Sequence, residues 1–184
     1  MSRAWAVSCV LVAVAVPAAI GCGGGGEVGA DARPVSPELR GLAARARELV
    51  DVDPAALGYR LRLAAASGDL RARTDADART ITLFLRPRDA AHRVAHDLAH
   101  EVGHAYDLES MSDAARVEYL RGRGAADTPW WPGGRRSDLE VGAGDFAEVF
   151  ALCHAASPEF RSRVAPRPDD ACASLPQGAR RSMR

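Results

Sequence analysis

The sequence predicts an α+β domain in which a small antiparallel sheet precedes the main helices. Residues 59–63 alternate apolar with charged side chains, as a half-buried strand does, and residues 80–85 form a second run with strand character. Longer segments on both sides of these strands repeat apolar residues at helical spacing. The length of 184 residues suits one domain of this kind.

Local signals place the first helix and the turns of the sheet. Ser36 followed by proline is typical of a helix start, and apolar residues recur at helical spacing as far as Val50. Residues 51–54, which end in proline, stop that helix. Between the two strands, residues 75–78 indicate a turn, and a further short strand is predicted near residues 70–73.

Three more helical segments are predicted in the second half of the chain. The first runs over residues 89–106 with Asp89 as its cap, and the second over residues 112–121. Residues 122–138 are rich in Gly, Pro, Arg and Trp and predict a long loop, which in a compact domain is usually functional or mobile. Residues 145–155 predict the last helix.

The first residues predict export and attachment to a membrane. Residues 4–20 form an apolar run behind Arg3, which is typical of a signal peptide. The run ends in Gly21-Cys22 before a glycine-rich stretch, a pattern that resembles the lipobox of bacterial lipoproteins, in which the cysteine is lipidated. The alternative is an ordinary signal peptide with an unrelated cysteine. The predicted division is a signal peptide over 1–21, a flexible tether over 22–37 and one domain over 38–184, lipid-anchored in the bacterial cell envelope and facing the periplasm or the exterior.

The remaining cysteines predict a disulfide. Removal of Cys9 with the signal peptide and lipidation of Cys22 would leave Cys153 and Cys172 in an oxidising compartment, where disulfides persist. We predict that these two pair and tie a C-terminal tail, predicted to be irregular, to the last helix. The alternative is a pair of buried free thiols.

The charge distribution gives no indication of nucleic-acid binding. The 24 basic residues, all of them arginine, balance 24 acidic ones, and both signs alternate along the chain.

One motif carries recognisable chemistry. His100-Glu101-Val102-Gly103-His104 lies in the predicted helix over 89–106, where residues four apart share a face. His100 and His104 can therefore bind one zinc ion, and Glu101 is placed to deprotonate a water molecule on that ion. Gly103 is costly inside a helix, so we expect another part of the chain or a substrate to pass close to it.

A zinc site of this kind needs a third protein ligand. Asp145 and Glu148 stand out because they share one face of the predicted last helix. One would bind zinc while the other would orient a histidine, and the choice between them stays open. The downstream acids considered as third ligands are Glu109, Asp113, Glu118, Asp127, Asp138, Glu140, Asp145, Glu148 and Glu159.

The motif and the helix after it resemble a known family. The segment HEVGHAYD at residues 100–107, followed by Asp145-Phe146-Ala147-Glu148, is similar to the gluzincin-type metallopeptidases of the anthrax lethal factor catalytic-domain kind. The resemblance covers residues 94–153. It implies a minimal zincin-like fold, a peptide or protein substrate, His100 and His104 as ligands, Glu101 as the base and Glu148 as the acid that orients a ligand.

The chain departs from that family at two places. Gly144 occupies the position of the family's ligand glutamate, and Ser137 lies where a tyrosine would stabilise an oxyanion. Other groups that could supply such a donor are Tyr106, Tyr119, Arg135 and Arg136.

Several further side chains allow two interpretations. His92 and His96 continue the histidine stripe and either hold a second metal ion or lie partly solvated on the same face. Trp130 and Trp131 either line the substrate cleft or pack the long loop onto the domain.

The predicted function is a zinc metallopeptidase of the cell envelope. The alternatives are a catalytically degenerate protein that binds zinc or a partner, and a structural envelope lipoprotein without a metal.

Overall fold

A computed structural model of the protein describes residues 35–134 and 136–181. The predicted signal peptide, the lipidation of Cys22 and most of the predicted tether lie outside the described residues. Among the residues described, no helix is both long and apolar enough to cross a membrane.

The sheet has three strands and is mixed, so the prediction of an antiparallel sheet is wrong in part. The strands are β1 (Arg60–Ala65), β2 (Ala72–Asp75) and β3 (Thr80–Leu85), in the order β1-β3-β2. β2 and β3 form an antiparallel hairpin, while β1 lies on the other side of β3 and runs parallel to it. The direction of β1 depends on residues 66–71, which connect it to the strand at the opposite edge of the sheet. Alternation of side chains within a strand gives no information about strand direction.

The helices pack around a long central one. Their bounds are α1 (Pro37–Glu48), α2 (Ala91–Ser110), α3 (Asp113–Gly122), α4 (Gly142–His154) and α5 (Ala171–Ser174). The predicted cap of α1 is confirmed, because the Ser36 side chain accepts a hydrogen bond from a backbone N–H group of the first turn. Ser112, predicted as the first residue of the next helix, is the N-cap of α3 in the same way. The α2 prediction is wrong at its start, since Ala90 is the N-cap. Asp89 instead accepts from Arg86 N–H and pairs with Arg71.

α2 and α4 pack against each other, and Gly103 permits their close approach. A Cβ atom at Gly103 would lie 3.0 Å from Cα of Ala147 and 3.1 Å from Cβ of Phe150. The expectation that something passes close to this glycine is therefore confirmed, and that neighbour is the backbone of α4. The contact fixes the histidine face of α2 relative to the acidic residues of α4.

The C-terminal tail is joined to the core, and it is less irregular than predicted. The disulfide between Cys153 and Cys172 confirms the predicted pairing. Beyond it, α5 and a 3-10 turn over Gln177–Arg180 bury Leu175 and Ala179. The tail thus closes one end of the domain around α4.

Candidate metal site

Three histidines of α2 face into the protein. His96, His100 and His104 are buried at steps of four residues, which places them on one side of the helix. His92, one step earlier, is exposed and takes no part in the cluster.

The third group at the paired histidines comes from the long loop. Asp138 opens a 3-10 turn over Asp138–Glu140, directly before α4. Its Oδ2 lies 3.1 Å from Nε2 of His100 and 3.3 Å from Nε2 of His104, and the two Nε2 atoms are 3.1 Å apart. Together they form a group that could hold a metal ion.

The geometry of this group fits a tetrahedral metal. Ligand atoms about 2.0–2.1 Å from a tetrahedral zinc ion are about 3.3 Å from one another, close to the three distances observed. In addition, Oδ1 of Asp138 is buried and has no hydrogen-bond partner among the described residues. A buried carboxylate oxygen normally has a partner, so a cation beside it would explain its position.

A second group, formed by His96, His100 and Glu148, is less suited to a cation. Oε1 of Glu148 lies 2.8 Å from Nδ1 of His100 and 3.2 Å from Nε2 of His96. The same oxygen is 3.1 Å from Nη2 of Arg161, so a dication there would meet a guanidinium charge. Glu148 is therefore better described as an ion-pair partner beside Nδ1 of His100, while the Nε2 atom of the same ring faces His104 and Asp138.

Asp145 lies apart from the histidines, although sequence reasoning placed it beside Glu148 as a candidate ligand. Its carboxylate accepts from the Tyr119 hydroxyl at 2.7 Å, from Nε of Arg123 at 2.8 Å and from the Ser162 hydroxyl at 2.5 Å. These partners saturate the carboxylate and account for its complete burial.

Sequence reasoning named Asp138 among nine acids and did not single it out. One local signal could have helped. Glu140 follows Ser137 by three residues, as in a capping box, and Ser137 N–H donates to Glu140 Oε2 at 3.0 Å. Such a pair indicates a helical turn that begins at Asp138. The direction of the Asp138 side chain is fixed in a helical turn, whereas it would vary in an irregular loop.

Gly144 makes room for this turn. A Cβ atom there would lie 2.1 Å from the carbonyl oxygen of Asp138 and 2.8 Å from its Oδ2. No side chain fits at these distances, so the Asp138 turn can rest against α4 only because residue 144 is glycine.

Replacing Gly144 by alanine is therefore expected to displace the Asp138 turn. We expect the free energy of unfolding to fall by about 1–3 kcal/mol through overpacking, and zinc affinity to fall with it. Chemical denaturation and competition with a chromophoric chelator measure the two effects. The matched control is Gly122→Ala, because a Cβ atom at Gly122 meets nothing within 4 Å. Equal zinc affinity in both variants would contradict the role given to Gly144.

Glu101 is held from the edge strand of the sheet. The Thr74 hydroxyl in β2 lies 2.7 Å from Glu101 Oε2 and 3.0 Å from the Glu101 carbonyl oxygen. The carboxylate is nearly buried and follows His100 directly in α2. Glu101 thus has a defined orientation on the helix that carries the paired histidines.

In the metal-free site, the neighbouring carboxylates raise the pKa values of His100 and His104. Burial opposes the charge on His100, but Asp138 and Glu148 outweigh it and raise the pKa of His100 to about 10. Burial is likewise outweighed by Asp138 at His104, whose pKa is raised. Burial would raise the pKa of Asp138 and of Glu148, yet the neighbouring histidines hold both pKa values well below the usual range.

The other side chains singled out from the sequence have partners of their own. Tyr106 stacks on Phe146, and the Tyr119 hydroxyl binds Asp145. Arg136 is exposed, and Arg135 lies outside the described residues. None of these described contacts directs a donor toward the paired histidines.

The two tryptophans differ in their surroundings. Trp130 donates its indole N–H to Asp107 Oδ2 at 2.8 Å and packs edge-on against Tyr119. It therefore fastens the long loop to the domain, which favours the packing interpretation. Trp131 is half-buried beside the Arg116 guanidinium.

Comparisons of the chain with protein-family models, with curated proteins and with solved structures found no match.

Proposed function

We propose that the protein is a zinc-dependent peptide hydrolase. The observation that carries the proposal is the cluster of His100 Nε2, His104 Nε2 and Asp138 Oδ2, all within 3.3 Å of one another. A set of three protein ligands with one open position is typical of catalytic zinc sites, whereas structural sites use four.

The donor set favours zinc among the common metals. Two imidazoles and one carboxylate suit zinc, whereas magnesium and calcium prefer oxygen ligands alone. The same set also occurs with non-haem iron, so zinc is the part of the proposal that metal analysis tests first. When bound, zinc supplies a Lewis acid that polarises a carbonyl group and makes a water molecule acidic near neutral pH.

The chain's own residues have distinct roles in the proposed reaction. Glu101 accepts the proton of the attacking water and returns it to the leaving amine. Thr74 keeps the Glu101 carboxylate in place through the contact at 2.7 Å. Glu148 fixes the ring of His100 from behind through Nδ1 at 2.8 Å.

The resemblance to metallopeptidases of the lethal factor kind supports the proposed function, with a different residue as the third metal ligand. The distance of 2.8 Å between Glu148 Oε1 and Nδ1 of His100 supports the orienting role that the resemblance implies for Glu148. The ligand carboxylate, however, comes from Asp138 in the preceding turn, and Gly144 occupies the position of the family's ligand glutamate. We propose that the aspartate replaces that glutamate at the metal.

The proposed place of action is the cell envelope, where a lipid anchor at Cys22 would hold the domain. The disulfide between Cys153 and Cys172 supports export, because disulfides persist in oxidising compartments and are rare in the cytosol.

A second candidate function is zinc binding without catalysis. It is favoured by the engagement of Tyr106 and Tyr119 elsewhere, which leaves the described residues without the tyrosine that the related family uses for an oxyanion. Such a protein would present its metal or its cleft to a partner.

Substitution of Glu101 by glutamine separates the two functions. We expect hydrolysis of a broad peptide library to fall by about 100- to 10,000-fold while zinc stays stoichiometric, because the amide cannot accept the proton. Mass spectrometry of the library and metal analysis measure the two quantities. The control is Glu118→Gln on the exposed face of α3. Stoichiometric zinc without cleavage by the wild-type protein would support the non-catalytic candidate and contradict the hydrolase.

Zinc binding is also expected to release protons. The pKa of His100, about 10, lies above the value of about 6.5 expected in an unfolded chain, so the ring is protonated in the metal-free protein at neutral pH. The ion pairs therefore stabilise the metal-free fold fully below pH about 6.5, and this contribution declines as the pH rises toward 10. Because a metal needs the neutral ring, zinc affinity should increase with pH over the same range.

Calorimetry at pH 6 in buffers of different ionisation enthalpy measures this release. We expect at least about one proton per zinc ion, from His100, and a further contribution from His104, whose pKa is also raised. His92→Gln is a matched control that should leave the number unchanged, since His92 is exposed and outside the cluster. Zinc binding with no proton release would place the ion on groups other than His100 and His104.

A further inference from the structure

The chain between Cys153 and Cys172 contacts the proposed metal site at two points. We call residues 154–171 the disulfide-closed segment, because the disulfide joins the residues that flank it. From residue 156 to residue 170 the segment contains no helix or strand. Its position must therefore come from its contacts and from the covalent bond at its ends.

The first contact lies behind His100. Arg161 donates its backbone N–H to Glu148 Oε2, and its guanidinium lies 3.1 Å from Oε1. The same guanidinium pairs with Asp97 at 3.0 Å. Since Glu148 faces the Nδ1 atom of His100, Arg161 determines where the residue that orients this ligand can lie.

The second contact lies at the turn that carries Asp138. Arg163 donates its backbone N–H to the carbonyl oxygen of Leu139 at 2.8 Å, and its guanidinium lies 3.3 Å from Glu140. Leu139 follows Asp138 directly. The turn is thus held between Gly144 of α4 on one side and the disulfide-closed segment on the other.

Backbone hydrogen bonds join His154 and Ala156 to Asp51 and Leu49, so the disulfide matters most for the residues that follow. Its ion pair between Arg93 and Glu159 involves an arginine that is half exposed, and exposed pairs contribute little stability. Ser162 and the carbonyl of Pro166 add hydrogen bonds to Asp145 and Arg123. A cross-link at both ends restricts the alternatives that an irregular segment can adopt, and both cysteines are partly accessible to a reductant.

We propose that the Cys153–Cys172 disulfide positions both the Asp138 turn and Glu148, so that the thiol–disulfide state of the protein sets its hold on the metal. This proposal rests on the proposed function because it requires a metal ion at His100, His104 and Asp138. The oxidised protein retains zinc, and reduction lets the segment withdraw Arg161 and Arg163 from their partners. A secreted or envelope protein would then release its metal when it meets a reducing compartment.

The test compares full-length oxidised protein with the same protein reduced by a phosphine, which binds zinc more weakly than dithiols do. Zinc affinity is measured by competition with a chromophoric chelator. Hydrogen exchange of the metal-free protein is measured separately at the peptide covering residues 138–144. We expect zinc affinity to fall about tenfold or more on reduction, as when an outer partner of a ligand is lost. Exchange should accelerate in this peptide and remain unchanged in β3.

The Cys153→Ser/Cys172→Ser variant isolates the bond. It should bind zinc as the reduced protein does and should not respond to the phosphine. If this variant fails to fold, the reduction of wild-type protein after folding still gives both measurements. Equal affinity before and after reduction, or unchanged exchange in residues 138–144, overturns the proposal. Absence of zinc from the oxidised protein together with accelerated exchange on reduction would reject the proposed metal site and leave the positioning role of the disulfide in place.

Discussion

Replacing Asp138 by alanine is expected to remove stoichiometric zinc from the purified protein. Asp138 Oδ2 is the carboxylate oxygen that lies within 3.3 Å of both paired histidine Nε2 atoms. Loss of a ligand should cost at least about 100-fold in affinity, the upper end of the range for losing a ligand's outer partner. Metal analysis of the purified variant and chelator competition measure this loss.

Asp145→Asn is the matched control for that experiment. Asp145 is buried and paired with Arg123, so the substitution should lower stability while leaving zinc stoichiometric. The opposite pattern, with zinc retained by Asp138→Ala and lost by Asp145→Asn, would reject the assignment of the third ligand. Loss of zinc only in Glu148→Gln would instead move the metal to the His96, His100 and Glu148 group.

The second large effect is expected on stability. Glu148 is fully buried and is shared by His96, His100 and Arg161. Replacing it by alanine removes the carboxylate that these three groups share, and leaves only Asp138 for His100 and Asp97 for Arg161, so we expect the free energy of unfolding to fall by about 3–5 kcal/mol. Urea denaturation of the chelator-treated protein measures this change without a contribution from bound metal.

Glu118→Ala provides the comparison, because Glu118 is an exposed glutamate in a helix. Its effect should stay within about 0.5 kcal/mol. Glu148→Gln keeps the shape of the side chain and should fall between the two. If Glu148→Ala were as stable as Glu118→Ala, the buried charges would have to be paired in some other way.

The parts of the fold that depend on local chemistry were predictable from the sequence. Ser36 caps a helix where the sequence predicts it, and β3 has the predicted bounds over residues 80–85. The direction of β1 was not predictable, because parallel and antiparallel pairing with β3 bury the same alternating residues. Asp89 was predicted to cap α2 because aspartate is common at that position. In the structure its side chain pairs with Arg71 instead.

The residues of the candidate site were likewise predictable only in part. His100 and His104 follow from the helical period alone. Asp145 and Glu148 were assigned to one polar face of α4, yet residues 142–151 of that helix are buried on every side. A helix without a solvent face carries no polar stripe, so the partner of each acid comes from long-range contacts. Asp138 depends on a loop whose path is defined by Gly144 and Arg163.

The glycine at position 144 bears on how similar sites could be found in other genomes. A search pattern that demands a glutamate at the position of Gly144 would pass over this chain. The appropriate pattern has an aspartate at the start of a Ser-Asp-x-Glu turn and a glycine six residues after that aspartate, as in Asp138 and Gly144. Chains that preserve this spacing and have glycine in place of that glutamate would form a class in which the proposed metal ligand lies in the turn before the helix.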